Sequence, residues 1–342
     1  LTAGKGTRLE KYSEFINKAL LPIDNKAAIT HIIEQVPIDF EIVVVLGYKA
    51  NMVREYCEIA HPERTFTFIM DDEYGAGPGK SILKAKDVLQ RPFYFVTVDT
   101  ILTEPLTSIR DNWLGVAPTA MPELYSTVYE EHGQVEEFKN KGANGYDKAF
   151  IGLASIHDFN IFWDELDVTH GEIVTAFYDP QAYNGLSTRT FDWFDIGTLD
   201  SYLMVKAIFE SGDKYSIPKT NGEFLYRVGN QFIKLFTDTD AISNRIIRSH
   251  ILEGFVPKLT NSGRYMYAYG WIPGETLYHH DASTWQMFLD KCQEKLWKPD
   301  NADISHATRK FYRDKTFKRF DMFMENRNES YLMAHNVNGE MT

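Results

Sequence analysis

Basic residues sit among glycines at the start of this chain. Ala3-Gly4-Lys5-Gly6-Thr7-Arg8-Leu9 is a glycine-rich turn, and Asn17-Lys18-Ala19-Leu20-Leu21-Pro22 follows it. Glycines let the backbone approach phosphate oxygens and aim N–H groups at them, which makes Ala3, Gly4, Gly6 and Thr7 candidate nucleotide contacts. Arg8 and Lys18 can neutralise a triphosphate from two sides. Two carboxylates complete the set. Asp99, in Val98-Asp99-Thr100, follows an apolar strand, where an α/β sheet places its ligand crevice and a Mg²⁺ ligand belongs. Asp195 lies in the glycine-bounded string Asp192-Trp193-Phe194-Asp195-Ile196-Gly197-Thr198. The chemistry such residues suit is displacement at a phosphorus atom. Each also has a plainer reading: a surface turn for the glycines, a turn aspartate for Asp99, and the N-cap of a helix beginning near Leu199 for Asp195.

The whole string LTAGKGTRLEKYSEFINKALLPI, with its spacing, resembles the signature loop of the sugar-nucleotidyltransferases, G-x-G-T-R-L followed by P-K-A-L-L-P-I. Asn17 stands where that family often has proline. The resemblance implies enzymes that join an NTP to a phosphomonoester and release pyrophosphate. It implies a metal role for Asp99, and for Asp195 through a W-x-D-x-G-T-like motif. Tyr74-Gly75-Ala76-Gly77-Pro78-Gly79-Lys80-Ser81 is a near miss to a P-loop and better resembles the family's base-binding loop, with Gly77 and Gly79 lining the nucleobase face. Lys141, Gly152 and Glu172 resemble its acceptor-binding positions, although a surface residue or tight turn explains each almost as well. The implied reaction is in-line attack of a phosphomonoester oxygen on the α-phosphorus, with Mg²⁺, Arg8 and Lys18 stabilising charge.

A second resemblance follows. Phe224 to Phe236, FLYRVGNQFIKLF, puts Lys234 near the end of a hairpin's second strand, like the ATP-phosphate lysine of a kinase N-lobe. Tyr265 to Glu275, YMYAYGWIPGE, resembles the hinge of the aminoglycoside phosphotransferase and choline kinase family, with Trp271 at the ATP site. No glutamate is assignable opposite Lys234; Glu253 is the nearest acidic candidate. The catalytic H-x-D-x-x-x-x-N loop and a following D-x-G are missing. Asp321 and Asn326 match only the D-x4-N spacing, a chance match. The expectation is a kinase C-lobe cut short, a chain continuing beyond Thr342, and an N-terminus lying upstream of Leu1. A choline-kinase-like partner domain raises CTP and an alcohol phosphate as substrates, for capsule or lipopolysaccharide precursors. The rivals are a sugar-1-phosphate with UTP, dTTP or GTP, and a nucleotide-binding regulatory module without turnover.

The elements needed to position these residues are legible. Short apolar runs alternate with helical periodicity up to about residue 207. Strands are expected at Glu41 to Gly47, Phe66 to Ile69 and Phe93 to Val98, and helices at Ile29 to Val36 and Ala50 to Ile59. This pattern predicts a doubly wound, Rossmann-like α/β domain over residues 1–212. Residues 222–342 read as an incomplete kinase-like segment, an α+β N-lobe and a partial helical C-lobe. Its strands are expected at EFLYRV, QFIKLF, Val256 to Thr260 and Tyr265 to Tyr269, with a helix from about Asp240 to Glu253. At 342 residues, 44% hydrophobic and 25% charged, the composition is that of an ordinary globular protein. A net charge of −12 argues against nonspecific nucleic-acid binding. No apolar run is long enough to span a bilayer. The two cysteines, Cys57 and Cys292, show no metal spacing, and a reduced cytoplasmic protein is the expectation.

Overall fold

The computed structural model describes residues 1–142, 144–168, 173–177, 182–183, 185–210, 222–274, 277–298, 303–325, 336–337 and 340–341. They fall into two compact units, Leu1–Ile272 and Pro273–Thr342.

The first unit opens with α1 (Lys11–Phe15), the short ladder β1 (Pro22–Ile23) and β2 (Lys26–Ala27), and α2 (Ala28–Gln35). The parallel pair β3 (Ile42–Leu46) and β4 (Phe66–Met70) flanks α3 (Ala50–Ala60) in sequence. β3 reads Ile-Val-Val-Val-Leu, a β-branched run that suits a strand covered on both faces. Residues 1–3 run beside β3: Thr2 donates its N–H to the Val45 carbonyl at 3.0 Å, and Tyr48 donates to Ala3 at 2.9 Å. An apolar cleft of about 520 Å³ separates the facing edges of β3 and β5.

Next come α4 (Pro78–Leu83), β5 (Phe93–Val96), β6 (Thr100–Leu102), β7 (Asn112–Pro118), β8 (Thr127–Glu131), β9 (Gln134–Lys139) and β10 (Lys148–Ile156). α5 (Phe159–Val168), β11 (Leu186–Thr190), β12 (Trp193–Asp195) and α6 (Leu199–Phe209) follow. Six strands form one sheet in the order β5-β10-β7-β11-β9-β8. The expected parallel winding holds for β3 and β4. Beyond them β10 lies antiparallel to both β5 and β7, so the sheet is mixed. The strand expected to reach Val98 stops at Val96, because Thr97 to Thr100 closes a turn with a 3.1 Å backbone hydrogen bond.

β13 (Glu223–Val228) and β14 (Gln231–Phe236) form a hairpin whose two-residue turn places Gly229 at φ +55. α7 (Thr239–Ile251), β15 (Leu259–Ser262) and β16 (Met266–Gly270) complete a four-stranded sheet, β13-β14-β16-β15. β15 starts later than expected, after Pro257, which cannot donate to a ladder. One face of this sheet, carrying Tyr226, Ile233, Leu235, Met266 and Ala268, belongs to the same core as Leu20 and the α3 residues Val53, Tyr56 and Cys57. Glu55 of α3 accepts backbone N–H bonds from Arg264, Tyr265 and Met266 at 3.1, 2.9 and 2.9 Å. The residues 211–221, where the sequence places its domain boundary, lie outside the described residues.

The second unit contains α8 (Ala282–Lys295), whose N-terminus is capped by Asp281, and α9 (Ser305–Thr308), from which a π-helical stretch leads into α10 (Lys315–Glu325). Asp321 lies within α10, and Asn326 lies outside the described residues. Among the described residues no helix is long and apolar enough to cross a membrane.

Candidate active site

Asp99 sits in the turn between β5 and β6. β12 pairs antiparallel with β6 and sets Asp195 opposite Thr100, one residue from Asp99. Ile196 donates its N–H to the Asp99 carbonyl at 3.1 Å, which locks the two segments together. The Lys18 ammonium reaches the Asp99 carboxylate at 3.0 Å, with the two side chains 12% and 28% exposed. Burial alone would raise the Asp99 carboxyl, but the Lys18 charge and hydrogen bonds from Lys18 and Thr97 outweigh it and hold it at about 2. Asp195 goes the other way. Burial and then the charge of Asp99 push it up, against a 2.7 Å N–H bond from Gly197. A raised carboxylate beside an ionised one is the arrangement that a divalent cation relieves. The pair therefore fits a Mg²⁺ ion whose other ligands come from phosphate and water. Among the described residues no cluster of three or more metal-ligating side chains occurs.

Asp195 is not the cap of the following helix. Thr198 caps α6, accepting the Ser201 N–H at 3.2 Å while the Ser201 hydroxyl accepts from the Thr198 N–H at 3.1 Å. Asp195 is thus left facing the site, where the Tyr125 hydroxyl donates to its Oδ2 at 3.3 Å. Arg8 closes the same corner. A Cβ placed on Gly197 would stand 2.9 Å from Asp195 Oδ1 and 3.5 Å from Arg8 Nη2, so a side chain there would displace the Asp195 carboxylate.

The glycine turn approaches from the other side. Gly6 adopts φ +65, and a Cβ there would meet Leu9 at 3.3 Å and the Lys18 side chain at 3.6 Å. Ala3 is buried, while Gly4, Thr7 and Arg8 are exposed. The second glycine loop faces this turn: Lys5 Nζ lies 5.8 Å from the Tyr74 ring centre. Gly77 is the N-cap of α4 at φ +110, and no protein atom lies within 4 Å of a Cβ built there; its backbone conformation is what favours glycine. Gly79 is buried in the first turn of α4, behind Pro78. Asp71, also buried, accepts from the Ser81 hydroxyl at 2.6 Å and the Glu73 N–H at 3.1 Å, tying the two ends of that loop.

The acceptor candidates scatter. Gly152, at φ +74 in β10, packs on the Asp99 turn: a Cβ would fall 2.1 Å from Thr97 Oγ1. Lys141 is on an exposed turn after β9, and no contact among the described residues joins it to the carboxylate pair. Glu172 lies outside the described residues. Lys234 and Trp271 share the other face of the four-stranded sheet. Lys234 Nζ is 5.7 Å from the Tyr269 ring centre, and the Trp271 ring lies 4.7 Å from Phe232, tilted by 32°, beneath the Arg227 guanidinium. α7 contains no glutamate, and Arg245 on it pairs with Glu223 at 2.8 Å. Glu253, the acidic candidate, follows the end of α7 and is exposed.

Four contributors escaped the sequence reading. Gly47 allows β3 to end against Ala3 and Tyr74, since a Cβ there would stand 2.6 Å from the Ala3 carbonyl; a glycine closing an apolar strand was the available signal. Asn17, a departure from the family's proline, is fully engaged in the turn of Lys18. Tyr125 and Tyr226 carried no local signal.

Residues 1–118 match the sequence model of the MobA-like NTP transferase domain. The chain is 29% identical over 131 residues to a protein named bifunctional protein GlmU from Methanococcus maripaludis strain C5, covering 37% of this chain and 31% of that protein. It is 28% identical over 112 residues to the UTP–glucose-1-phosphate uridylyltransferase AglF of Haloferax volcanii, covering 32% of this chain and 45% of that protein. The chain thus spans about a third to a half of the length of these curated relatives. Among solved structures, a putative glucose-1-phosphate thymidylyltransferase from Bacillus anthracis, crystallised with a sucrose, superposes with a TM-score of 0.55 at 18% identity, over 64% of this chain and 95% of its own. The Rossmann-like α/β fold of nucleotidyltransferases is therefore shared over 64% of the chain.

Proposed function

We propose that this chain is a Mg²⁺-dependent nucleotidyltransferase that couples an NTP to a small phosphomonoester and releases pyrophosphate. The Lys18–Asp99 ion pair, set beside Asp195 and Arg8 at the mouth of a glycine turn, carries this reading. The turn Ala3 to Thr7 holds the phosphates through backbone N–H groups, and Arg8 and Lys18 neutralise them. Gly77 and Gly79 line the base. Asp99 and Asp195 would hold the cation, which would supply Lewis-acid polarisation of phosphoryl oxygens. The chain's task is positioning, because an acceptor phosphate near pH 7 is already largely deprotonated and requires no general base. Lys141, Gly152 and Glu172 are the acceptor-side assignments, with Gly152 acting through the Asp99 turn.

The relatives' names favour a sugar-1-phosphate acceptor. The likeness of residues 222–342 to choline-kinase-like proteins favours CTP and an alcohol phosphate, with Lys234 and Trp271 forming a separate nucleotide surface. Pyrophosphate release with Mg²⁺, over five NTPs against both acceptor classes, decides between them. Asp99→Ala and Asp195→Ala each abolish release while the far-ultraviolet circular dichroism stays native. Retained turnover in either removes the metal assignment. Lys234→Ala leaves release unchanged; a loss there places both nucleotide surfaces in one site.

A further inference from the structure

We propose that Asn17 and Tyr226 are positioning residues for Lys18, clamping its turn from two different layers of the molecule, so that the four-stranded sheet is a working part of the transferase site. The inference rests on the transferase reading of Lys18 and goes beyond it.

Lys18 is carried by a single 3₁₀ turn, Lys18–Leu20, too short to fix its own orientation. Asn17 secures its start. Its side chain is buried, its Oδ1 accepts the Ala19 N–H at 2.8 Å, and its amide donates to the Thr2 carbonyl at 2.9 Å and the Tyr48 carbonyl at 2.6 Å. One side chain thus joins the Lys18 turn to the segment before the glycine turn and to the loop after β3. The Asn17 backbone, at φ −70 and ψ 149, is one that proline would adopt. Proline could keep the bend but none of the three bonds.

Tyr226 secures the end. Its hydroxyl donates to the Leu20 carbonyl at 2.6 Å across 206 positions of sequence. Its ring is fully buried and meets Tyr56 edge-on at 5.0 Å. Burial raises its phenol well above the usual range, so the hydroxyl remains a donor at any working pH. The neighbouring Arg227 N–H donates to the Asn25 carbonyl at 2.6 Å, which fixes the same segment a few residues on. Ala19 and Leu20 are fully buried between these anchors, and the Lys18 side chain leaves the turn toward Asp99.

The test is a double-mutant cycle. Tyr226→Phe and Asn17→Pro are each measured alone and in a Lys18→Ala background, for kcat and KM of pyrophosphate release and for the affinity of inorganic tripolyphosphate. Displacing a reacting-site contact costs up to about a hundredfold in rate. Each single variant is expected to lower kcat by about tenfold or more, with less change in KM, and to add nothing once Lys18 is gone, as expected for residues acting through one group. Asn17→Ala and Asn17→Asp serve if the proline variant does not fold. Equal losses with and without Lys18, or a lowered melting temperature with unchanged kcat, overturn the proposal. If the wild type releases no pyrophosphate, the transferase reading fails by itself, and the tripolyphosphate cycle still decides the clamp.

Discussion

A lysine that is 12% exposed and paired to a half-buried carboxylate is a statement about acid stability as well as charge. Asp99 is held at about 2 in the folded chain, below the ordinary value near 3.9 of an unfolded aspartate. Its stabilisation is therefore fully present above about pH 4 and is lost as pH falls toward 2. Asp99→Asn leaves Lys18 unpaired and is expected to cost about 2 kcal/mol near neutral pH, less than full burial would cost because Asp99 keeps contact with water. The urea midpoints of wild type and variant should separate at pH 6 and converge below pH 4; a gap independent of pH would mean that the pair contributes nothing. The structure brings Arg8, Lys18, Asp99 and Asp195 together, and each stands out in the sequence as a candidate, because a glycine turn with cations and an acid after an apolar strand are visible within a few residues. The ties that hold them were not. Nothing near Asn17 in the sequence says that its amide reaches Thr2 and Tyr48, and the roles of Lys141 and Glu172 rest on likeness alone.

Among the elements, the short turn between β5 and β6 bears the site's most exacting demand. Gly152 lies against it with no room for a methyl group. Gly152→Ala must both adopt a left-handed backbone and push on Thr97, which together cost about 1–3 kcal/mol. The displaced turn carries Asp99, so pyrophosphate release is expected to fall at least tenfold at temperatures where circular dichroism shows the variant folded. Full activity in a folded variant would show that the turn tolerates movement. The strands and helices were read from period and composition to within a few residues, down to the two-residue hairpin at Gly229-Asn230. The mixed sheet was not, because pairing partners such as β10 with β5 and β7 are set by long-range register.

In the molecule as a whole, the four-stranded sheet and the nucleotidyltransferase fold share one core. Removing the sheet would strip cover from Tyr56, Cys57 and Leu20 and leave the Glu55 carboxylate without its three N–H donors. A chain ending at residue 210 is expected to be insoluble or to bind hydrophobic dye, whereas one ending at 272 melts cooperatively; a cooperative, monomeric 1–210 fragment would show that the sheet is dispensable. The Tyr226–Leu20 and Glu55–Met266 bonds join residues 206 and 211 positions apart. On a ribosome adding about 5–20 residues per second, the turn of Lys18 therefore waits on the order of ten seconds or more for its last partners. Until then Leu20's carbonyl and one face of α3 are without the cover that the four-stranded sheet gives them in the folded protein, and the turn that carries Lys18 is held only by its N-terminal anchor, Asn17.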